Sequence, residues 1–287
     1  MTRATGFAVS TDGTEISYLD YGVDYSAAVD PAKPAYLLIH GWSASADSWG
    51  LPLIDELTAA GHRVVAVDNR GHGRSSVPTS QDPFGTARFA DDVAAVRSLL
   101  GLDEVVLVGW SYGGLVIADH LSVHGIDGVA GVGLIGAITS IGGTADGQFP
   151  GGVTGPAMNA ALPAALSGKP SAAIPALAGM RMLPKGFNQE TLGPVAQRIF
   201  GHALSTPPAV RGGLFRRTVD HDADLASWTF PVLIQHGRDD EVVAPSTAEH
   251  HAAVLPRATL SWWDHGGHAP FVVDPTRCAR ELLQLRG

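Results

Sequence analysis

The chain has almost no sulfur chemistry at its disposal: one cysteine, Cys278, in 287 residues. An intrachain disulfide is excluded, and Cys278 sits among apolar residues in a predicted helix, where it reads as a small buried hydrophobe. Charge is scarce as well. Asp, Glu, Lys and Arg make up 16% of the sequence, the net charge is −9, and no block of Lys or Arg occurs. Phosphate backbones need clustered cations, so a nucleic-acid partner is not expected. Long apolar runs are missing too. The longest, 128–138, is too short and too glycine-rich to span a bilayer, and the first six residues carry no apolar leader. No membrane partner is expected, and a cytoplasmic location follows by default. Metal-ligand patterns are equally thin. His120 and His124 are four apart on a predicted helix, but the stretch between them lacks the glutamate of H-E-x-x-H. His265 and His268 have no third ligand nearby, so neither a metal nor a cofactor is expected.

What the chain does have is apolar material, 45% of its residues, enough for one large core. Two short β-type runs, Ala8–Ser10 and Ile16–Tyr21, flank Thr11-Asp12-Gly13-Thr14, a hairpin turn signal. Further runs at 36–39, 63–67, 105–108, 131–135, 232–235 and 259–263 lack alternation, as parallel strands buried on both faces do. Helical stretches fall between them, near 50–60, 87–100, 114–124, 247–255 and 275–285. This alternation predicts an α/β fold with a mostly parallel, doubly wound sheet. The rhythm stops at about Thr139 and resumes after Trp228. The intervening stretch is rich in Ala, Gly and Pro, shows no convincing strand, and is too long for a structureless loop. An inserted helical unit over 139–228 is expected, with 1–138 and 229–287 as the core; candidate helices are 156–166, 171–182 and 188–204.

Chemistry is concentrated where predicted strands end. Gly109-Trp110-Ser111-Tyr112-Gly113 follows the run 105–108 and precedes a helix, the context in which G-x-S-x-G marks a nucleophile. The glycines permit a sharp turn that lifts Ser111 Oγ out of the sheet. Serine needs a base oriented by a carboxylate. Among twelve histidines, His40, His236, His265 and His268 lie just past strand ends, where open α/β sheets place their sites. His268, freed by Gly266-Gly267, is the expected base, with His265 its competitor. The acid is expected in Arg238-Asp239-Asp240-Glu241 after the run 232–235; Asp240 is favoured and Asp239 competes. Two backbone donors are expected for an oxyanion, Tyr112 N–H and Trp42 N–H after His40-Gly41.

Taken in order, His40-Gly41, Asp68 to Ser75, Gly109 to Gly113, Gly237 with Asp240, and Gly267-His268 resemble the α/β-hydrolase superfamily. The branch is that of lipase-like esterases, cofactor-free haloperoxidases or perhydrolases, and meta-cleavage-product hydrolases. The resemblance implies an α/β-hydrolase fold, a triad in the order Ser, Asp, His, and a cap over the site built by 139–228. It makes the 68–75 stretch a structural turn, with His72 a decoy and Asp68 and Arg70 braces. Met158, Met180, Met182 and Phe187 become candidate pocket walls. Ser111 at the nucleophile position speaks against the haloalkane dehalogenases and epoxide hydrolases of the superfamily, which use Asp. The scattered acids of the insertion, Asp146, Glu190 and Asp220 among them, argue against aminopeptidase relatives. The expected function is hydrolysis of a small to medium apolar carboxylic ester through an acyl-enzyme. Two alternatives stand beside it. One is a C–C hydrolase, with Arg181, Arg198 or Lys185 holding a substrate carboxylate; the other is a non-catalytic small-molecule receptor on the same fold. The expected partner is a small ester, and the sequence allows a homo-oligomer.

Overall fold

The computed structural model describes residues 3–22, 29–180 and 182–285. The chain opens with a hairpin, β1 (Ala4–Val9) and β2 (Glu15–Asp20), whose turn closes through Gly13 at φ 83°. β1 starts four residues before the predicted run; on this edge strand Ala4 to Phe7 are exposed or half-buried and form no continuous apolar run. β3 (Ala35–Ile39), α1 (Leu51–Ala59), β4 (Val64–Val67), α2 (Thr86–Leu100), β5 (Val105–Trp110), α3 (Tyr112–His124) and β6 (Val129–Ile135) then alternate. After the insertion come β9 (Val232–Gly237), α9 (Pro245–Val254), β10 (Ala258–Trp263), α10 (Pro270–Val273) and α11 (Pro275–Leu282). Eight strands form one sheet in the order β1-β2-β4-β3-β5-β6-β9-β10, parallel except that β2 runs against its neighbours β1 and β4.

Alternation along the buried strands divides the core in two. Leu37, Ile39, Val65, Val67 and Leu107 face α2 and α3, with Phe89, Val93 and Leu115 packed on them. Tyr36, Leu38, Val64, Ala66, Val106 and Val108 face the opposite layer, with Leu53 and Leu57 of α1 and Cys278 and Leu282 of α11. Each such side chain contributes about 1.5–3 kcal/mol by burial, which is why these strands carry no polar face. Cys278 is fully buried, its thiol bonded to Gln235 Oε1 at 3.1 Å and pushed up in pKa by burial, as suits a packing residue. The strand order reverses beside β3, opening a crevice at the strand C-termini between β3 and β5.

Between β6 and β9 lie β7 (Gly143–Thr144), β8 (Gly147–Gln148), α4 (Pro156–Ala165), α5 (Pro170–Gly179), α6 (Gln189–Ser205), α7 (Pro208–Phe215) and α8 (Asp222–Leu225). The two-residue strands pair only with each other, too short to give a sequence signal. Proline at the first helical position starts α4, α5 and α7, where its missing N–H costs nothing. Single bridges, Ile141 to Val219 and Thr154 to Val243, tie the segment to itself and to the loop after β9. Among the described residues no helix is long and apolar enough to cross a membrane.

Candidate active site

Ser111 stands between β5 and α3 at φ 55°, ψ −121°, a conformation a non-glycine residue adopts only when its surroundings fix it. Those surroundings are backbone. Ser111 N–H donates to Ile135 O at 3.0 Å, and Ser111 O accepts from Ile138 N–H and Gly114 N–H. A Cβ at Gly109 would lie 2.6 Å from the Gly113 backbone, and one at Gly113 would lie 2.0 Å from Ile39 O, so the turn requires both glycines. Ser111 Oγ makes no hydrogen bond among the described residues and lines a cavity at the strand ends.

The loop after β3 leans on the serine. A Cβ at Gly41 would lie 2.7 Å from Ser111 Cβ and 3.2 Å from its Oγ, so the bare Gly41 backbone passes directly over the hydroxyl. Trp42 N–H has no backbone acceptor among the described residues, and Tyr112 N–H opens α3 with no intrahelical acceptor. His40 braces this loop: its Nε2 accepts from Asn69 N–H at 3.0 Å, while Asn69 Nδ2 donates to His40 O at 2.8 Å. Burial lowers the His40 pKa to about 4 and that of His72 to about 3, so both are neutral supports. Arg70, fully buried, holds Asp92 with two nitrogens and Asp12 with a third.

Asp240 and His268 meet at the other side. Asp240 Oδ2 lies 2.8 Å from His268 Nδ1, and both side chains are buried. Oδ1 accepts from Val242 N–H and Val243 N–H at 2.8 and 3.0 Å. Burial pushes the Asp240 carboxyl up, but His268, then His236 and the Val242 N–H, outweigh it and hold the group below the usual carboxylate range. Asp239 takes a different partner: its Oδ1 accepts from Gly267 N–H at 2.9 Å, bracing the histidine loop from behind. His265 is exposed and makes no contact with Asp240. Trp110 Nε1 donates to His268 O at 2.8 Å, linking the residue before Ser111 to the histidine loop.

The cavity over Ser111 has a volume of about 230 Å³. Trp42 and Phe215, in edge contact at 5.3 Å, form one wall, with Met158 and Leu162 of α4, Ile138, and Val243 around it. No charged side chain lines it among the described residues. Of the methionines and phenylalanine proposed from sequence, only Met158 reaches this space. Met180, Met182 and Phe187 line a separate apolar cavity of about 420 Å³ between α5 and α6. That is a correction: the sequence showed apolar residues in the insertion but not which of the two cavities they line. Met182 still touches the site through its backbone, its O accepting from His268 N–H at 3.0 Å. Arg198 is exposed away from the cavity, Lys185 pairs with Glu241 at 2.8 Å on the surface, and Arg181 lies outside the described residues. Sequence reading missed Phe215, Ile138 and Val243 as walls. The signal for Phe215 was Pro207-Pro208, a helix start upstream of it. Among the described residues no group of three or more His, Cys, Asp or Glu is placed to hold a metal ion.

A strained serine between strand and helix, a buried Asp–His pair on later loops and helices on both faces of a mostly parallel sheet define an enzyme of the α/β-hydrolase class. The sequence profile described as alpha/beta hydrolase fold matches residues 34–275, and the chain belongs to that family. It is 42% identical to the esterase RhEst1 from Rhodococcus sp. ECU1013, with a TM-score of 0.88 over 98% of this chain and 97% of that one. It is also 30% identical to a non-heme haloperoxidase of Rhodococcus erythropolis, over 97% of this chain and 98% of the relative. A non-heme chloroperoxidase, CPO-A1 of Kitasatospora aureofaciens, is 30% identical over 96% of each chain.

Proposed function

We propose that this protein is a serine carboxylesterase for esters of small, uncharged acids. His268, oriented by Asp240, takes the Ser111 proton as Oγ attacks the ester carbonyl. Trp42 N–H and Tyr112 N–H receive the oxyanion, and the alcohol departs with the proton from His268. Water, deprotonated by the same histidine, then releases the acid. Residues 139–228 act as a cap that supplies the far wall through Met158, Leu162 and Phe215.

The observation that carries the reading is the cavity itself. Its volume of about 230 Å³ falls below the roughly 300–1,000 Å³ of sites for drug-sized ligands, so the acyl group it accepts is short or compact. Its uncharged lining supports an ester over the C–C alternative, whose carboxylate-bearing substrate needs a cation within reach of Ser111. The esterase name of the 42% identical relative points the same way.

Turnover of a p-nitrophenyl ester series tests this. The wild type should favour acetate and butyrate over octanoate, and Ser111→Ala should lose activity on the order of 10⁵-fold while keeping its melting temperature. Full activity in that variant, or a preference for a carboxylate-bearing dienone over any ester, would overturn the reading.

A further inference from the structure

Tyr112 supplies more than a backbone amide. Its side chain is buried, and its hydroxyl meets the end of α7 and the residues after it: it accepts from Arg217 Nη1 at 3.0 Å and donates to Leu214 O at 3.4 Å. Arg217 Nη2 holds both oxygens of Asp119, at 2.7 and 2.8 Å, and reaches Thr86 Oγ1 at 3.1 Å. Asp119 is seven residues after Tyr112 in α3, hence two turns along the same face. One guanidinium thus spans the first two turns of the helix that starts at the nucleophile. It also lies against two rings, 5.2 Å from the centroid of Phe89 and 5.9 Å from that of Tyr112. Two residues earlier in the chain is Phe215, a wall of the cavity.

We propose that Arg217 is a positioning residue for the oxyanion site: it fixes Tyr112, and through it the amide that follows Ser111, to the root of the 139–228 segment. The proposal rests on the hydrolase reading of Ser111 given above. The Ser111 backbone conformation persists only where contacts over-determine it. Backbone bonds fix Ser111 from the sheet side; the Tyr112–Arg217–Asp119 chain fixes the following residue from the opposite side. The chain does not switch off near neutrality. Burial, the largest influence, pushes the Tyr112 phenol up to about 12. Arg217 feels an opposing burial effect, but Tyr112 and Asp119 outweigh it and hold the guanidinium charged. His221 Nε2, 3.0 Å from Asp119 Oδ1, supports the carboxylate on its remaining side.

The test uses the full-length enzyme and four variants: Tyr112→Phe, Arg217→Lys, Arg217→Met and Ser111→Ala. For each, kcat and KM on p-nitrophenyl acetate are measured beside the affinity of a short alkylboronic acid, whose tetrahedral serine adduct mimics the oxyanion. Deleting an oxyanion donor outright costs about 10²–10³ in kcat, and displacing one should cost less. Tyr112→Phe should lower kcat roughly tenfold and Arg217→Met up to about a hundredfold, with boronate affinity falling by the same factors and KM within about twofold. Arg217→Lys should fall between them, since an ammonium cannot hold the phenol and both carboxylate oxygens together. Tyr112→Phe keeps the Arg217–Asp119 pair, so it remains informative if Arg217→Met does not fold. Unchanged kcat and boronate affinity in Tyr112→Phe, whatever the melting temperature, would overturn the proposal. A rise in KM alone would do the same, assigning Arg217 to the Phe215 wall. Wild-type turnover in Ser111→Ala would instead remove the hydrolase reading and this proposal with it.

Discussion

Gly136 shows how closely the residues of this site are fitted. It sits at φ 50° just past β6, and a Cβ there would lie 3.0 Å from His268 O and 3.3 Å from both Asp240 Oδ2 and His268 Nδ1. The Asp240–His268 pair occupies the space that a side chain would take. Gly237 makes the same allowance for the two loops, since its Cβ would lie 2.2 Å from Gly267 O. Within that packing the adjacent carboxylates do separate work, and substitution distinguishes them. Asp240→Asn should lower kcat by about 10³–10⁴, because the amide cannot stabilise a charged His268 and favours the wrong tautomer. Asp239→Asn keeps an amide oxygen that can accept from Gly267 N–H, loses only the charge, and should cost less than about tenfold. Steady-state kinetics of the two variants check this, and equal losses would contradict it. Ser111, Asp240 and His268 were legible as candidates because each follows an apolar run by a glycine-containing loop. Asp240 was favoured over Asp239 from sequence, but the contact of Asp239 with the histidine loop was not legible, because it depends on where Gly267 N–H points in space.

Among the secondary-structure elements, the strands and helices of the core were readable because burial on both faces of a parallel sheet writes apolar runs of fixed length into the chain. The 139–228 segment obeys no such rule. Its helices bury only part of their surface, and α7, with Gly212-Gly213 in its middle, hardly resembles a helix by propensity. Yet α7 carries two contacts that shape the site. Arg211 O accepts from Trp42 Nε1 at 3.1 Å, and Phe215 packs on the Trp42 ring. A wall of the cavity is therefore supplied by an element whose sequence signal is only a proline pair. Phe215→Ala should extend the cavity and raise kcat/KM for hexanoate relative to acetate roughly tenfold, since a methylene in a fitting apolar pocket is worth about 1–3 kcal/mol. A p-nitrophenyl chain-length series measures it, and an unchanged profile would place the acyl group elsewhere.

The folded protein as a whole keeps several histidines in its interior as neutral groups. Burial lowers His40 and His120 to about 4, and His72 and His251 to about 3. In the unfolded chain each takes a proton near pH 6.5, whereas the folded protein resists until far lower pH. Their contribution is complete above about pH 6.5 and is lost as pH falls from there toward 3. His221 runs the other way: burial lowers its pKa, but Asp119 and Asp224 raise it by more, so its contribution is lost as pH rises. A pKa that differs by one between the folded and unfolded chain is worth about 1.4 kcal/mol, and four groups outweigh one. Urea midpoints should therefore drop steadily from pH 7 to pH 4.5; a flat profile would contradict the burial of these rings as neutral groups. The proposed catalysis turns on a single requirement, that Ser111 carries the acyl group. Intact-mass measurement and peptide mapping after treatment with a fluorophosphonate, or with p-nitrophenyl acetate quenched in acid, decide it. A single adduct should appear on the peptide containing Ser111 and be absent from Ser111→Ala; an unlabelled Ser111 in turning-over enzyme, or an adduct on another residue, would refute it.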